Sequence, residues 1–290
     1  MIKSFIGKKD QNNYFLYQAI NMKKKNLSFF FRKNNCDKFT HQYHTVYEKY
    51  LSKNKNKKLN IFEIGVADGS SLKSWSAFFK KSNIIGIDIK KINLKKRGID
   101  KKNIKVYEGS QTDKKILSNI ISKYKNFDII IDDGSHYPND VIKTFEILFP
   151  FLKINGLYFI EDLQTSYNHF FKGNAFDLKY SSTHMNFFKN ITDSLNYKEI
   201  ANPFYAKNKY DGLISEVSFY NNMVVLKKGI NEIESNLVEK NSYEEKRYKT
   251  KILRGGSKIK YFFKYKILFK SYTLILFLIN FVKKIILLRI

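Results

Sequence analysis

Carboxylates that close two hydrophobic runs, with a histidine just behind one of them, are the residues through which this chain could do chemistry. Residues 127–136 read FDIIIDDGSH and residues 157–162 read LYFIED. Each run looks like a buried strand that delivers acids to one edge of a sheet, so Asp132, Asp133, Glu161 and Asp162 would converge there with His136. Adjacent residues at a strand end point to opposite faces, so how these groups meet depends on the turns that follow. Carboxylates that face one another repel and raise each other's pKa unless a cation joins them. Oxygen donors suit Mg²⁺ or a similar hard ion rather than zinc. The alternative is that these acids cap helices or pair with the many lysines, and that His136 is a surface loop histidine.

A second set lies upstream. Residues 63–69 read EIGVADG, an E-x-G-x-x-x-G turn in which Gly65 and Gly69 let the backbone bend tightly and approach a ligand with no Cβ in the way. The next strand ends at Asp88, where a carboxylate can bind both hydroxyls of a ribose. A dinucleotide site would prefer G-x-G-x-x-G, with amides free for a pyrophosphate, and the chain lacks it here. Glu63, ahead of the glycines, suits a sulfonium-bearing amino acid better than a phosphate. Ser110 and Gln111, after the third strand, are candidate adenine contacts. The turn resembles the S-adenosylmethionine (SAM) site of class I methyltransferases; a plain strand-to-helix turn is the other reading.

The elements that must position these groups alternate. Strands at LNIFEIG, IIGIDI, NIKVYEG, FDIIIDD and LYFIED are separated by helices over residues 71–79, 114–124 and 141–152. That order predicts a doubly wound, mostly parallel Rossmann-like α/β sheet with helices on both faces. A helix is expected near residues 183–195. The segment LISEVSFYNNMVVLKKG then has two β-rich runs around Asn221 and Asn222, which tolerate the positive φ of a tight turn, so an antiparallel hairpin should close the sheet. That ending is the layout of class I methyltransferases. A helix over residues 40–51 carries His41, Tyr43, His44 and Tyr47, read either as a lid or as an aromatic face packed on the sheet. Trp75 should pack the first helix of the alternation. His169 and His184 lie in the loop region after the fifth strand and receive no role.

With DDGSH, IED, the E-x-G turn and the stretch from Asp37-Lys38 to Tyr47, the chain resembles the metal-dependent sugar O-methyltransferases of macrolide tailoring, a group that also holds cephalosporin hydroxylase-like proteins. The resemblance runs from about Asp37 to Gly229. It implies that Asp133, Glu161 and Asp162 hold Mg²⁺ and that His136 is the general base. It puts Glu63, Gly65, Asp88 and Asp132 on the SAM side of the pocket. No two-His-one-carboxylate iron triad with convincing spacing supports a hydroxylase.

The 290 residues include 53 Lys plus Arg against 26 Asp plus Glu, a net charge of +27. AT-rich coding explains part of that excess, yet such a surface attracts polyanions or an anionic membrane. Cys36 is the single cysteine, which excludes an internal disulfide and a cysteine-built zinc site. The opening residues lack the apolar stretch of a signal peptide, so the expected location is cytoplasmic. Residues 1–58 read as a basic extension with the lid helix, 59–229 as the methyltransferase domain, and 230–290 as a basic, apolar helical tail. From Lys251 to Ile290 there are ten basic residues and no acidic one, and the uncharged stretch Ser271–Val282 is 12 residues long. About 20 are needed to span a bilayer, so residues 258–290 suit an anionic membrane interface on the inner face, or packing on the domain or a second subunit of a homo-oligomer.

The reading is therefore a SAM- and Mg²⁺-dependent O-methyltransferase for a sugar hydroxyl, with a surface glycan or its lipid-linked precursor as acceptor. An RNA methyltransferase would use the charge, but DDGSH stands where an N-P-P-Y-type tetrapeptide would follow the fourth strand, which argues against nucleic acid. A catalytically silent membrane-bound scaffold is the reading from another class.

Overall fold

The computed structural model describes residues 25–99, 101–200 and 205–232. The chain falls into two units, Met1–Glu234 and Ser235–Ile290, and all described residues belong to the first. The amphipathic tail expected over 258–290 lies outside them.

Three short helices come first: α1 (Leu27–Lys33), α2 (Asp37–Thr40) and α3 (Tyr43–Leu51). The alternating part follows as β1 (Asn60–Ile64), α4 (Ser70–Phe78), β2 (Asn83–Asp88), β3 (Ile104–Glu108), α5 (Lys114–Tyr124), β4 (Phe127–Asp132), α6 (Pro138–Leu148) and β5 (Leu152–Ile160). Helix α7 (His184–Ile191) and the hairpin β6 (Ile214–Tyr220) and β7 (Met223–Lys228) complete it. The seven strands lie in the order β3-β2-β1-β4-β5-β7-β6. β1 to β5 pair in parallel, and β7 runs antiparallel to both β5 and β6. The doubly wound sheet with a closing hairpin is thus as expected, with Asn222 at φ 58° in the turn.

The inner strands β1, β2 and β4 are buried on both faces, which explains their near-continuous Ile and Phe content, whereas the edge strands β3 and β6 are partly exposed. One face packs under α1, α3 and α4, where Trp75 is fully buried with its ring edge-on to Phe31 and Tyr47. The other packs under α5, α6 and α7 around Phe145, Tyr158 and Phe188.

Two expected helices differ. The single helix over 40–51 is two, because Gln42 takes a left-handed conformation (φ 61°) that ends α2 and redirects the chain before Tyr43. The helix expected over 141–152 runs from Pro138 to Leu148. Proline fits a first helical turn, where its missing N–H costs nothing, whereas Pro150 cannot continue an α-helix, and Phe149–Phe151 is a 3₁₀ turn leading straight into β5.

Candidate functional site

The site is built on alternation. Ile61 and Glu63 in β1, Ile129, Ile131 and Asp133 in and after β4, and Phe159 and Glu161 in and after β5 share the face that carries α1 to α4. β4 lies between β1 and β5, with Glu63 level with Ile131 and Ile131 level with Phe159. Three carboxylates therefore crowd the carboxyl ends of three neighbouring strands. The cation that joins them belongs to the chain. Lys38 Nζ lies 2.6 Å from Asp133 Oδ2 and 2.7 Å from Glu161 Oε1. It lies 3.3 Å from Glu63 Oε1, an ion-pair contact without hydrogen-bond alignment. Lys38 is 1% exposed. The Tyr47 hydroxyl donates to the same Glu161 oxygen, and its ring rests on Phe159. Helix α3 is thus an aromatic face packed on the sheet, with tyrosine hydroxyls reaching its acids.

One ammonium faces three carboxylates, of which Glu63 and Glu161 are buried and Asp133 is partly exposed. Burial alone would draw the Lys38 pKa down, but Asp133, Glu161 and Glu63 outweigh it and hold the ammonium charged. Glu161 is pushed well above the usual carboxyl range by burial and by Asp133, against the pull of Lys38. Burial raises Glu63 as well, opposed by Lys38.

Asp133, His136 and Asp162 form a more open group, with one ligand atom of each within 4.8 Å of the others. His136 Nε2 is 3.5 Å from Asp162 Oδ2 and 4.0 Å from Asp133 Oδ1, and all three side chains are about one-fifth exposed. His136 (φ 59°) and Asp162 (φ 57°) both sit in the left-handed region, a conformation found at sites where the surroundings over-determine it. Asp162 Oδ1 accepts the Tyr43 hydroxyl at 2.6 Å. Burial would raise the Asp162 pKa, but the Tyr43 bond and His136 outweigh it and hold the carboxyl below its ordinary range. Two partly exposed carboxylates beside a histidine fit a hard divalent ion. Glu161, expected beside them, sits behind with one oxygen committed to Lys38 and Tyr47.

On the cofactor side, Gly65 is required by space as well as by its φ of +83°, since a Cβ there would lie 1.9 Å from the Asp133 carbonyl oxygen. A Cβ on Gly69 (φ +83°) would meet the Ile99 side chain at 2.5 Å. Glu63 accepts the Ser71 hydroxyl from the first turn of α4 at 2.8 Å, tying strand to helix. Asp88 Oδ2 accepts the N–H groups of Val66 and Ala67 at 2.8 and 2.9 Å, so this carboxylate shapes the glycine turn. Ile89 beside it is 74% exposed. An acid next to a bare apolar side chain at a strand end fits a nucleoside, one for the ribose and the other for the base.

Asp132 and Gln111, expected on the cofactor side, are both buried. Gln111 is 8% exposed; its amide N–H groups point to Thr144 Oγ1 (3.0 Å) and Asp132 Oδ1 (3.3 Å), and its oxygen accepts the Ser135 N–H (2.7 Å). Gln111 thereby latches the DDGSH turn. Asp132 is on the face opposite Asp133, 1% exposed, with Oδ2 lacking a partner. Burial pushes its carboxyl up to about 8. Ser110 shares a hydrogen bond with Thr112.

Lys38 stands out only in the structure, and Tyr43, expected on a lid or an aromatic helix face, proves to reach Asp162 through its hydroxyl. His184, given no role, is fully buried beneath the loop after β5, with its ring nitrogens near Ser166 Oγ and Thr165 Oγ1. His169 stacks on Phe170.

No family model matches the chain. Among curated proteins it is similar to mycinamicin VI 2''-O-methyltransferase of Micromonospora griseorubida, 32% identical over 202 residues, which is 67% of this chain and 50% of the relative. It is similar to demethylmacrocin O-methyltransferase of Streptomyces fradiae, 32% identical over 203 residues, covering 66% of this chain and 49% of the relative. The chain thus spans about half the length of the curated relatives it matches. Among solved structures, the MycE methyltransferase of the mycinamycin biosynthetic pathway, in complex with Mg and SAH, superposes with a TM-score of 0.67 at 30% identity, covering 75% of this chain and 58% of that one. A second MycE complex, which also holds mycinamycin VI, gives the same TM-score of 0.67 at 29% identity.

Proposed function

The chain is a homologue of the macrolide sugar O-methyltransferases, built on the class I methyltransferase fold, and from that premise we propose that it methylates a sugar hydroxyl using SAM and Mg²⁺. The observation that carries this reading is the grouping of Asp133, His136 and Asp162 at the carboxyl ends of β4 and β5, beside the Gly65 turn.

Asp133 and Asp162 would hold the metal, with Glu161 behind them, and Glu63, Gly65, Gly69 and Asp88 would line the SAM side. When bound, SAM supplies the electrophilic methyl group, and Mg²⁺ supplies positive charge that makes a sugar hydroxyl more acidic. The protein's own part is to orient and to move a proton. His136 Nε2 accepts the hydroxyl proton as the oxygen gains the methyl group, leaving a methyl ether, the demethylated cofactor and an imidazolium. Asp162 Oδ2, 3.5 Å from that nitrogen, stabilises the charge so formed. Rigid strand ends hold both reactants in line, which contributes several kcal/mol in reactions of this kind.

Next to His136 is a cleft of about 530 Å³ lined by Tyr137, Asn139, Asp140, Lys172, Tyr180 and Ser182. Aromatic faces with hydroxyl, amide and carboxylate groups suit a carbohydrate, and the acceptor is assigned there. The finer reading is a surface glycan or its lipid-linked precursor, met at the inner face of an anionic membrane through residues 258–290. Its support is the basic, apolar sequence of that tail; among the described residues no helix is long and apolar enough to cross a membrane.

The test is label transfer from SAM to free sugars, cell glycans and lipid-linked glycan fractions, with Mg²⁺ or EDTA, for wild type and His136→Ala. General-base loss should lower the rate by about 10²- to 10⁴-fold. Transfer that survives both EDTA and the substitution would sink the mechanism, and label found only in free sugars would sink the lipid-linked acceptor.

A further inference from the structure

Asp133 and Asp162 each divide their two oxygens between the protein and the open side of the site. Asp133 Oδ2 takes the Lys38 ammonium at 2.6 Å, while Oδ1 is the oxygen facing His136 Nε2 at 4.0 Å. Asp162 Oδ1 takes the Tyr43 hydroxyl at 2.6 Å, while Oδ2 faces the same nitrogen at 3.5 Å. Both protein partners come from one short segment. Lys38 is on α2 and Tyr43 is the first residue of α3, and the left-handed Gln42 between the helices sets their relative direction.

We propose that Lys38 and Tyr43 are positioning residues for the metal, each engaging one oxygen of an aspartate so that the other is the one offered to the ion. This inference rests on the metal-assisted reading above. A carboxylate can bind a divalent ion through one oxygen or two, and Mg²⁺ demands near-ideal octahedral geometry with little tolerance for a mobile ligand. An oxygen already engaged by a buried donor is withdrawn from that choice, which fixes both the ligand atom and its direction. Partners behind the ligands of this kind typically contribute about 10- to 100-fold in metal affinity. The two residues differ in one respect. The Lys38 charge also opposes a second cation at Asp133, so it limits affinity while it orients; Tyr43 is uncharged and orients only. The segment before β1 thereby acts on the metal centre from behind, without contributing a ligand.

The test uses Mn²⁺ as the metal probe on the full chain, with free Mn²⁺ followed by electron paramagnetic resonance and SAM affinity by calorimetry. Because a Lys38→Met chain can fail to fold, the decisive variant is Tyr43→Phe, which removes a single hydroxyl. Its Mn²⁺ affinity should fall 10- to 100-fold, with SAM affinity in the absence of metal and the melting temperature close to wild type. Mn²⁺ affinity within twofold of wild type would overturn the inference and leave the metal reading intact. Parallel losses of Mn²⁺ affinity, SAM affinity and melting temperature would make Tyr43 a structural residue and overturn it too. A wild-type chain that takes up no Mn²⁺ would overturn this inference together with the metal reading.

Discussion

The Lys38 ammonium lies 2.6 Å from Asp133 Oδ2, joining a residue of the helical N-terminal segment to the end of the fourth strand 95 residues later. Through the same nitrogen it reaches Glu161 and Glu63, so one side chain is the counter-charge for three strands. The carboxylates of the sheet edge are therefore held together before any ligand arrives.

Removing that charge should be costly. Lys38→Met leaves buried carboxylates unpaired, and breaking a buried pair from one side typically costs about 3–5 kcal/mol. Urea denaturation should show a loss of this size. Lys38→Arg should not restore full stability, since a planar guanidinium cannot replace a compact ammonium facing three acids. A Lys38→Met midpoint equal to wild type would contradict the assigned role.

Gly65→Ala should damage the cofactor turn and the DDGSH turn together. The added Cβ would lie 1.9 Å from the Asp133 carbonyl, at a φ of +83° that alanine resists. Calorimetry should show SAM affinity reduced at least tenfold, accompanied by a lower melting temperature. Unchanged binding and melting would mean that β1 and β4 can part without consequence.

Asp132→Asn should stabilise the protein, and increasingly so with rising pH. Burial pushes this carboxyl from the ordinary 3.8 to about 8, so the folded state holds a proton that the unfolded chain has released. The wild type's advantage from that proton is complete below pH 4 and is lost as pH rises through about 8. Asparagine copies the protonated shape without titrating. Thermal melts of both proteins from pH 4 to 8.5 should diverge at the alkaline end; parallel curves would refute an elevated Asp132.

His184 should give the opposite slope. Burial, with the charge of His136, lowers its pKa from 6.5 to about 4, so the unfolded chain takes up a proton that the folded one refuses. Its contribution is present above pH 6.5 and is lost as pH falls toward 4, on the order of 3 kcal/mol in all. His184→Gln should flatten the stability curve across that window. An equally steep acid loss in the variant would assign the titration to another group.

Much of the architecture was legible because local chemistry and global fold agree. Runs of Ile and Phe bounded by Gly, Asp and Asn specify buried parallel strands, and Asn221-Asn222 marks the hairpin that distinguishes this sheet order. The acids at 132–133 and 161–162, the Gly65 turn and Asp88 were readable from their places at strand ends. Which of them face one another was not. Period-two alternation sends Asp132 into the α5–α7 side and Asp133 to the α1–α4 side, and the left-handed turns at His136 and Asp162 then bring those two residues beside Asp133. Histidine and aspartate visit positive φ more often than most side chains do, yet such residues remain a small minority, so residue type alone did not mark these two positions. Lys38 was one of 53 basic residues in the sequence, and its partners are 95 and 123 positions away. A buried ion pair between distant segments leaves no periodic trace. Composition and spacing thus determined that carboxylates, a histidine and glycines would meet at the carboxyl edge of a parallel sheet. Packing of α2 and α3 onto that edge decided which oxygens are held from within and which stay open to a ligand, because orientation depends on side chains brought together only when the chain is folded.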